Sequence, residues 1–299
     1  MRITQGVLIN NMMRDYNRNM SRMERLNMQL SSRRRINRPS DDPAGLVTSL
    51  RLRTSLHHNE QYKKNTGDAL SWIEKADSVF NSLNEVLQRA RVQTLYGANS
   101  TNDQSALNAL ADELEQLRAE VEELANSTLD DRYIFGGTNT TSKIYDGGTW
   151  IGNNLPIEYE IGQASVMQVN FDGTAFGIDY SSGTADASNS VFATLDNIIN
   201  DLRSGNTANL SGVHIKSLDK HIDQLLSCRA QAGAKMNRLE LVSSRQKDLD
   251  YNYTKLLSDN EDIDVAEIII RLTNQENVYR ASLAVGARLI QPSLVDFLR

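Results

Sequence analysis

Residues 107–124 read LNALADELEQLRAEVEEL, and every third or fourth residue of this stretch is apolar. Charged side chains fill most of the positions between them, so one face of a helix would be apolar and the opposite face solvated. The spacing therefore predicts a helix that packs lengthwise against other helices. The apolar face consists of Leu107, Leu110, Leu114, Leu117, Val121 and Leu124.

The same period recurs on both sides of that stretch. The chain has four prolines, and none falls between Pro43 and Pro156 or between Pro156 and Pro292. Because proline breaks the interior of a helix, both intervals permit long helices, and we expect one over residues 44–95. The apolar faces carry Ile73, Ala76, Phe80, Leu83, Leu87 and Ala90 and, in the second half, Leu218, Ile222, Leu225, Met236 and Leu239.

Residues 133–186 follow a different pattern. Apolar and polar residues alternate there with the period of two that is typical of strands. The stretches FGGTNT, YDGGTW and SSGTADASNS supply turn signals around them. We predict a small β insertion with two short strands, whose alternating apolar residues are Ile157, Tyr159 and Ile161, then Met167, Val169 and Phe171.

These patterns predict a mainly α fold, in which a long antiparallel helical hairpin forms a coiled-coil rod with a small β-rich insertion at its distal tip. Both chain ends would then lie at the same end of the rod. We assign residues 1–42 and 265–299 to a terminal helical assembly domain. Residues 43–132 and 187–264 form the predicted helical rod domain, and residues 133–186 form the small β insertion domain.

The two terminal segments hold more apolar residues than one pair of helices can bury. One stripe on each helix suffices for pairing, yet further apolar residues lie off that stripe, most densely in residues 265–290. We expect other subunits to cover them, although an ordinary two-helix coiled coil would show a similar period. The predicted assembly interface comprises Ile3, Val7, Met13, Met20, Leu30, Ile269, Leu272, Tyr279, Leu283, Val285 and Ile290.

The motifs and the charge argue against an enzyme. The sequence has no P-loop, HExxH, GxSxG or dinucleotide fingerprint, and we predict no catalytic residue, cofactor or metal. Cys228 has no motif around it, and His57 and His58 would point about 100° apart on a helix. The net charge of −6, with acidic and basic residues interspersed, argues against binding to nucleic acid or to a membrane surface.

Several long motifs resemble the bacterial flagellin family. They begin with QLSSRRRINRPSDDPAGLVTSLRLRTSL at residues 29–56, DALSWIEKADSVFNSLNEVLQRA at 68–90 and YIFGGT at 133–138. In the second half, YTKLLSDNEDIDVAEIIIRL at 253–272 and VGARLIQPSLVDFLR at 285–299 are similar to the branch of the family that joins the flagellar hook to the filament. The resemblance covers nearly all of the predicted helical sequence.

The resemblance implies a structural subunit of the bacterial flagellum that joins hook to filament and is an adaptor or template for flagellin polymerisation, with flagellin itself as the alternative. The implied partners are flagellin, the hook-side hook-associated junction protein, copies of this chain, an export chaperone and the flagellar type III export apparatus. The implied location is extracellular, reached without a cleavable signal peptide, whose pattern the N-terminal residues lack. A hydrolase with its site in residues 133–186 is an alternative of another class.

The segment after the first helix contains two prolines, Pro39 and Pro43, which favour an extended backbone before them. Four arginines lie close together in this segment, at positions 33, 34, 35 and 38, and could bind phosphate. The adjacent carboxylates and the lack of interleaved aromatic residues favour ion pairs instead. Arg33 stands where related sequences commonly have glycine, which puts the local backbone in doubt because glycine accepts a left-handed conformation that arginine resists. The residues that we predict for polar contacts between subunits are Arg35, Arg38, Asp41 and Asp42.

Overall fold

A computed structural model of the chain describes residues 5–99, 103–181 and 183–290. Contacts between residues divide the chain into two units. The terminal unit contains the described residues of 1–58 and 249–299, and the central unit contains those of 59–248.

The terminal unit is built from helices. It contains α1 (Gln5–Ser32), the first part of α2 (Pro43–Gly97), the last part of α5 (Ile215–Glu261) and α6 (Val265–Ile290). Helices α1 and α6 pack antiparallel, because residues 12, 16 and 19 of α1 meet residues 286, 279 and 275 of α6. An isolated β-bridge between Arg34 and Asp262 ties the α1–α2 linker to the turn between α5 and α6.

The central unit pairs the remaining parts of α2 and α5 in antiparallel fashion. Asp77 of α2 lies 3.2 Å from Arg229 of α5, and Arg91, further along α2, lies 2.6 Å from Asp219. Two shorter helices, α3 (Gln104–Ala125) and α4 (Val191–Arg203), pack against each other. Their N-termini are capped by the side chains of Asp103 and Ser190, which accept hydrogen bonds from the backbone N–H groups three residues later.

In the described part of the central unit, six short strands form three antiparallel sheets of two strands each. In the third sheet Tyr159 pairs with Met167, so the two predicted strands are confirmed. Ile161 and Met167 are buried, as the alternating pattern requires. The pairs are β1 (Thr128–Leu129) with β2 (Arg132–Tyr133), β3 (Tyr145–Asp146) with β4 (Thr149–Trp150), and β5 (Glu158–Gly162) with β6 (Ser165–Gln168).

Aromatic side chains join the β-rich segment to α2. The ring of Phe80 lies 5.2 Å from that of Phe171 and 5.5 Å from that of Phe135, measured between centroids. All three rings are buried. Further along the same flank of α2, the Asn65 side chain donates a hydrogen bond to the Glu160 carbonyl at 2.7 Å. The β-rich segment therefore shares one hydrophobic core with the helices.

The predicted fold class is confirmed, since long helices dominate and the strands form small antiparallel sheets. The expected position of the β-rich segment at the tip needs correction. The segment packs on the flank of α2 between Asn65 and Phe80, whereas the C-terminal end of α2, at Gly97, meets Leu202 and Leu210. The physical reason is that Phe135 and Phe171 of the segment pack against Phe80 of α2, where all three rings are buried. The predicted three-part division into domains stays a prediction.

The backbone just after α1 is left-handed. Arg33 has φ of 55°, in the region that L-residues with a Cβ resist. A left-handed residue just after a helix allows the last carbonyl groups of the helix to be hydrogen-bonded. Glycine is the commonest residue at this position because it has no Cβ. The doubt raised by the sequence is therefore resolved: the backbone keeps the conformation that suits glycine, although the residue is arginine.

Replacing Arg33 with glycine should stabilise the terminal unit. Arg33→Gly removes the Cβ that the left-handed backbone disfavours, and we expect the free energy of unfolding to rise by about 1 kcal/mol, as measured by urea denaturation. Arg33→Ala is the matched control, because it removes the guanidinium but keeps the Cβ. An equal gain for both variants, or none for glycine, would contradict the strain account.

Candidate assembly interface

Helices α1 and α6 contact each other along one stripe of each helix. The hydroxyl groups of Tyr16 and Tyr279 are hydrogen-bonded at 2.9 Å, and the centroids of their rings are 5.4 Å apart. Gly286 is buried, and a Cβ added to it would overlap the side chain of Met12. The helices can therefore approach closely at this point only because residue 286 has no side chain.

Most of the predicted interface residues stay exposed after this pairing. Leu30, Leu272 and Tyr279 are partly buried. Ile3 lies outside the described residues, as does the side chain of Ile290. Whether these residues contact other subunits stays a prediction. The remaining residues of the set share a fractional exposure between 41% and 57%: Val7, Met13, Met20, Ile269, Leu283 and Val285.

Further exposed apolar residues were not in the predicted interface. Ile270 is 62% exposed and Val278 is 50% exposed, and both lie on α6. A signal for Ile270 was present in the sequence: three consecutive isoleucines, 268–270, cannot all face the same neighbour on a helix. Ile268 is the buried member of the three. Other exposed apolar side chains in the described part of the terminal unit are Val47, Leu50, Tyr251, Leu256 and Val265.

A buried carboxylate organises the polar contacts at the end of α5. The Glu261 side chain is 7% exposed and accepts hydrogen bonds from the Arg53 guanidinium at 2.8 Å and 2.6 Å, one on each oxygen. The guanidinium of Arg34 lies 3.6 Å away, and the backbone N–H of Arg35 donates to the Glu261 carbonyl at 2.6 Å. We call Glu261, Arg34, Arg35 and Arg53 the polar junction.

Two opposing influences set the pKa of Glu261. Burial is the largest and raises the pKa, but hydrogen bonds from Arg53 and Ser49 and the charges of Arg53 and Arg34 lower it, so the pKa ends below its ordinary value. Glu261 is therefore ionised at neutral pH. Its contribution to stability is present above the ordinary pKa of a glutamate and is lost as the pH falls through the lowered folded-state pKa.

The linker between α1 and α2 holds two more carboxylates by backbone hydrogen bonds. Asp41 accepts from the N–H groups of Arg38 at 2.9 Å and Asn37 at 3.2 Å, and Asp42 accepts from that of Gly45 at 2.9 Å. The bond from Arg38 is the main cause that lowers the pKa of Asp41, and the bond from Gly45 is the main cause for Asp42. These bonds fix the path of the linker.

The four predicted linker residues find partners inside the chain. Arg35 lies 3.2 Å from Asp42, and Arg38 lies 3.6 Å from Glu24. Asp41 accepts hydrogen bonds from the backbone N–H groups of Asn37 and Arg38. Because the linker turns back on itself, arginines and aspartates that are close in sequence neutralise each other, and no second subunit is required for that purpose. A role for them between subunits stays a prediction.

Two features are absent from the residues that the structure describes. Within them, no group of three or more histidine, cysteine, aspartate or glutamate side chains is arranged to hold a metal ion. No helix in the described ranges is both long and apolar enough to cross a lipid bilayer.

Residues 3–140 match the family described as the bacterial flagellin N-terminal helical region. The chain is similar to the bacterial flagellins over this part of its length. A flagellin of Bacillus subtilis (strain 168) is 28% identical over 302 residues, which cover 97% of each chain. Flagellar hook-associated protein 3 of Escherichia coli (strain K12) is 25% identical over 94% of this chain and 95% of its own length. The resemblance to the flagellin family is thereby confirmed.

The fold of this chain also occurs in a solved structure. A protein from Vibrio parahaemolyticus described as a flagellar hook-associated protein superposes with a TM-score of 0.67 and 19% sequence identity. The superposition covers 74% of this chain and all of the other. At this identity the likeness concerns the fold.

Removal of the charge at Glu261 should destabilise the terminal unit and flatten its response to acid. Glu261→Gln leaves Arg53 and Arg34 without their carboxylate, and we expect a loss of about 1–3 kcal/mol at pH 7. The wild-type unit should lose stability as the pH falls from about 5 to 3, and the variant should lose less over that range. Urea denaturation at several pH values measures both effects.

Glu267→Gln is the matched control for this test. Glu267 pairs with Arg271 at 2.6 Å, but both side chains are more than half exposed, so the loss should stay below about 1 kcal/mol. If the two substitutions lowered the free energy of unfolding equally, the buried carboxylate of Glu261 would contribute no more to stability than an exposed one.

Proposed function

We propose that this chain is a structural subunit that joins the hook to the filament of the bacterial flagellum and is a template for the first flagellins. The observation that carries the proposal is the exposed apolar surface of the terminal unit. Ile270, Val285 and Leu283 of α6 are 43–62% exposed in a single copy of a chain related to flagellar filament and hook-associated proteins.

Physical chemistry supports assembly through these faces. Covering apolar surface contributes about 2.5 kcal/mol for each 100 Å² removed from water, before the cost of ordering the partners. The central unit has a closed core in which Trp72, Phe80 and Phe176 are buried. The described part of the central unit also exposes apolar side chains, such as Val213 and Leu241, but fewer of them than the smaller terminal unit does. We therefore assign the terminal segments to assembly.

The proposal includes a set of partners and a location. The partners are flagellin, the hook-side junction protein and further copies of this chain. Export would follow the flagellar type III route with the help of a chaperone, and the assembled protein would be extracellular. We also propose that the chain has no catalytic activity, because a structural role accounts for its exposed surfaces.

Flagellin itself is the second candidate function, and one observation favours it. The flagellin of Bacillus subtilis aligns with this chain over 97% of both lengths. A short segment between the helical parts is therefore compatible with a filament subunit as well as with a junction subunit. The C-terminal motif at 285–299 is the feature of the sequence that favours the junction role.

Loss of the gene should separate the two candidates. For a junction subunit we expect intact hooks without filaments and flagellin released into the medium, because the filament has no template to grow on. For a filament subunit we expect the major flagellar protein to be absent from the medium. Electron microscopy of the cells and analysis of the medium measure both outcomes.

A charge placed on the exposed face of α6 should block incorporation. Ile270→Asp introduces a carboxylate that would have to be desolvated in the assembly, so we expect at least a tenfold loss of protein from purified flagella. Leu241→Asp is the control, since Leu241 is 73% exposed on the central-unit part of α5. Both variants should appear in the medium. Normal incorporation of Ile270→Asp would contradict the assignment of this face.

A further inference from the structure

Basic and acidic residues are distributed unevenly along the chain. Residues 1–58 hold 11 basic and four acidic side chains, whereas the remaining residues hold 21 basic and 34 acidic side chains. The N-terminal part therefore carries a positive surplus within a chain whose net charge is −6. A segregation of charge on this scale points to an interaction with a surface of opposite sign.

Much of this surplus lies in one row on α1. The arginines follow one another at intervals of four, four and three residues, which places them on one face of the helix. Like charges at this spacing repel each other, so an anionic neighbour would stabilise this face of the helix. They line a shallow groove of about 470 Å³ together with Asn17 and Ser21. We call Arg14, Arg18, Arg22 and Arg25 the arginine row.

Carboxylates of the same chain neutralise only part of the arginine row. Asp15 lies 3.6 Å from Arg18, but both side chains are at least 68% exposed. Asp41 lies 3.8 Å from Arg25 and already accepts two backbone hydrogen bonds. Among the described residues, Arg14 and Arg22 have no carboxylate partner. The arginines of the polar junction, by contrast, are engaged with Glu261 and its neighbours.

A surface of opposite charge lies at the turn between α5 and α6. Residues 258–267 read SDNEDIDVAE and contain five carboxylates and no basic residue. Glu261 is buried in the polar junction, and Glu267 pairs with Arg271. The other three side chains are exposed and have no cationic partner in the part of the chain that the structure describes. We call Asp259, Asp262 and Asp264 the acidic turn.

We propose that the arginine row of one copy docks on the acidic turn of a second copy of this chain. The inference rests on the proposed function and names the contact through which copies meet. Within one copy, the row has Asp15 and Asp41 as its carboxylate neighbours, so the acidic turn remains available to another molecule.

The two surfaces differ, so the contact is heterologous. Each copy offers a row to one neighbour and a turn to the next, which is the arrangement that closes rings or extends helical tubes. The exposed apolar faces of the terminal helices supply stabilisation, and the charges fix the register and the choice of partner.

Charge reversal tests the inference in cells that produce the full chain. Arg18→Glu with Arg22→Glu reverses the row, and Asp259→Lys with Asp262→Lys reverses the turn. Each double variant should be exported into the medium, yet its amount in purified flagella should fall at least tenfold. When both pairs of substitutions are combined in one chain, incorporation should return to within about threefold of the wild type, because each reversed row then meets a reversed turn.

The matched control is Arg238→Glu with Arg245→Glu, which reverses two exposed arginines on the central-unit part of α5 and should incorporate normally. Normal incorporation of either interface variant alone would overturn the inference, as would failure of the pair to restore assembly. Absence of the wild-type chain from purified flagella would instead overturn the proposed function, and with it the inference.

Discussion

The pairing of α1 with α6 determines which apolar residues of these two helices are buried in a single copy. Each helix can bury only the face that meets the other, and at Gly286 the two are already as close as the side chain of Met12 allows. Apolar residues on the other faces, such as Ile270 and Val285, therefore remain in contact with water in a single copy. Because contiguous apolar surface favours association, the helix pair is incomplete without neighbours, whereas the central unit closes its own core around Phe80.

The polar junction fixes the elements that connect to this helix pair. Glu261 joins the end of α5 to the start of α2 through Arg53, and to the linker through Arg34 and Arg35. Such a carboxylate is strongly held because it is shielded from water and meets two guanidinium groups. The linker is fixed in turn by backbone hydrogen bonds to its own aspartates. Arginines that face outward on α1, such as Arg14 and Arg22, remain available to another molecule.

Local periodicity made most of the fold predictable. The apolar period at Leu107–Leu124 became α3, and the alternation around Tyr159 became β5 and β6. The position of the β-rich segment could not be predicted, because alternation fixes which face of a strand is buried but not what covers it. The contact between Arg53 and Glu261 leaves no local pattern, since the residues are far apart in sequence. Excess apolar residues mark α6 as a candidate interface, which stays a prediction, and the residues named for that interface did not include Ile270.

The central claim is that other subunits cover the terminal helices in the flagellum. Imaging of the hook–filament boundary at side-chain resolution tests it most directly. The account predicts a layer of this chain between hook and filament, with Ile270 and Val285 of each copy buried against neighbouring subunits. A boundary layer without this chain, or one in which those side chains face water, would contradict it.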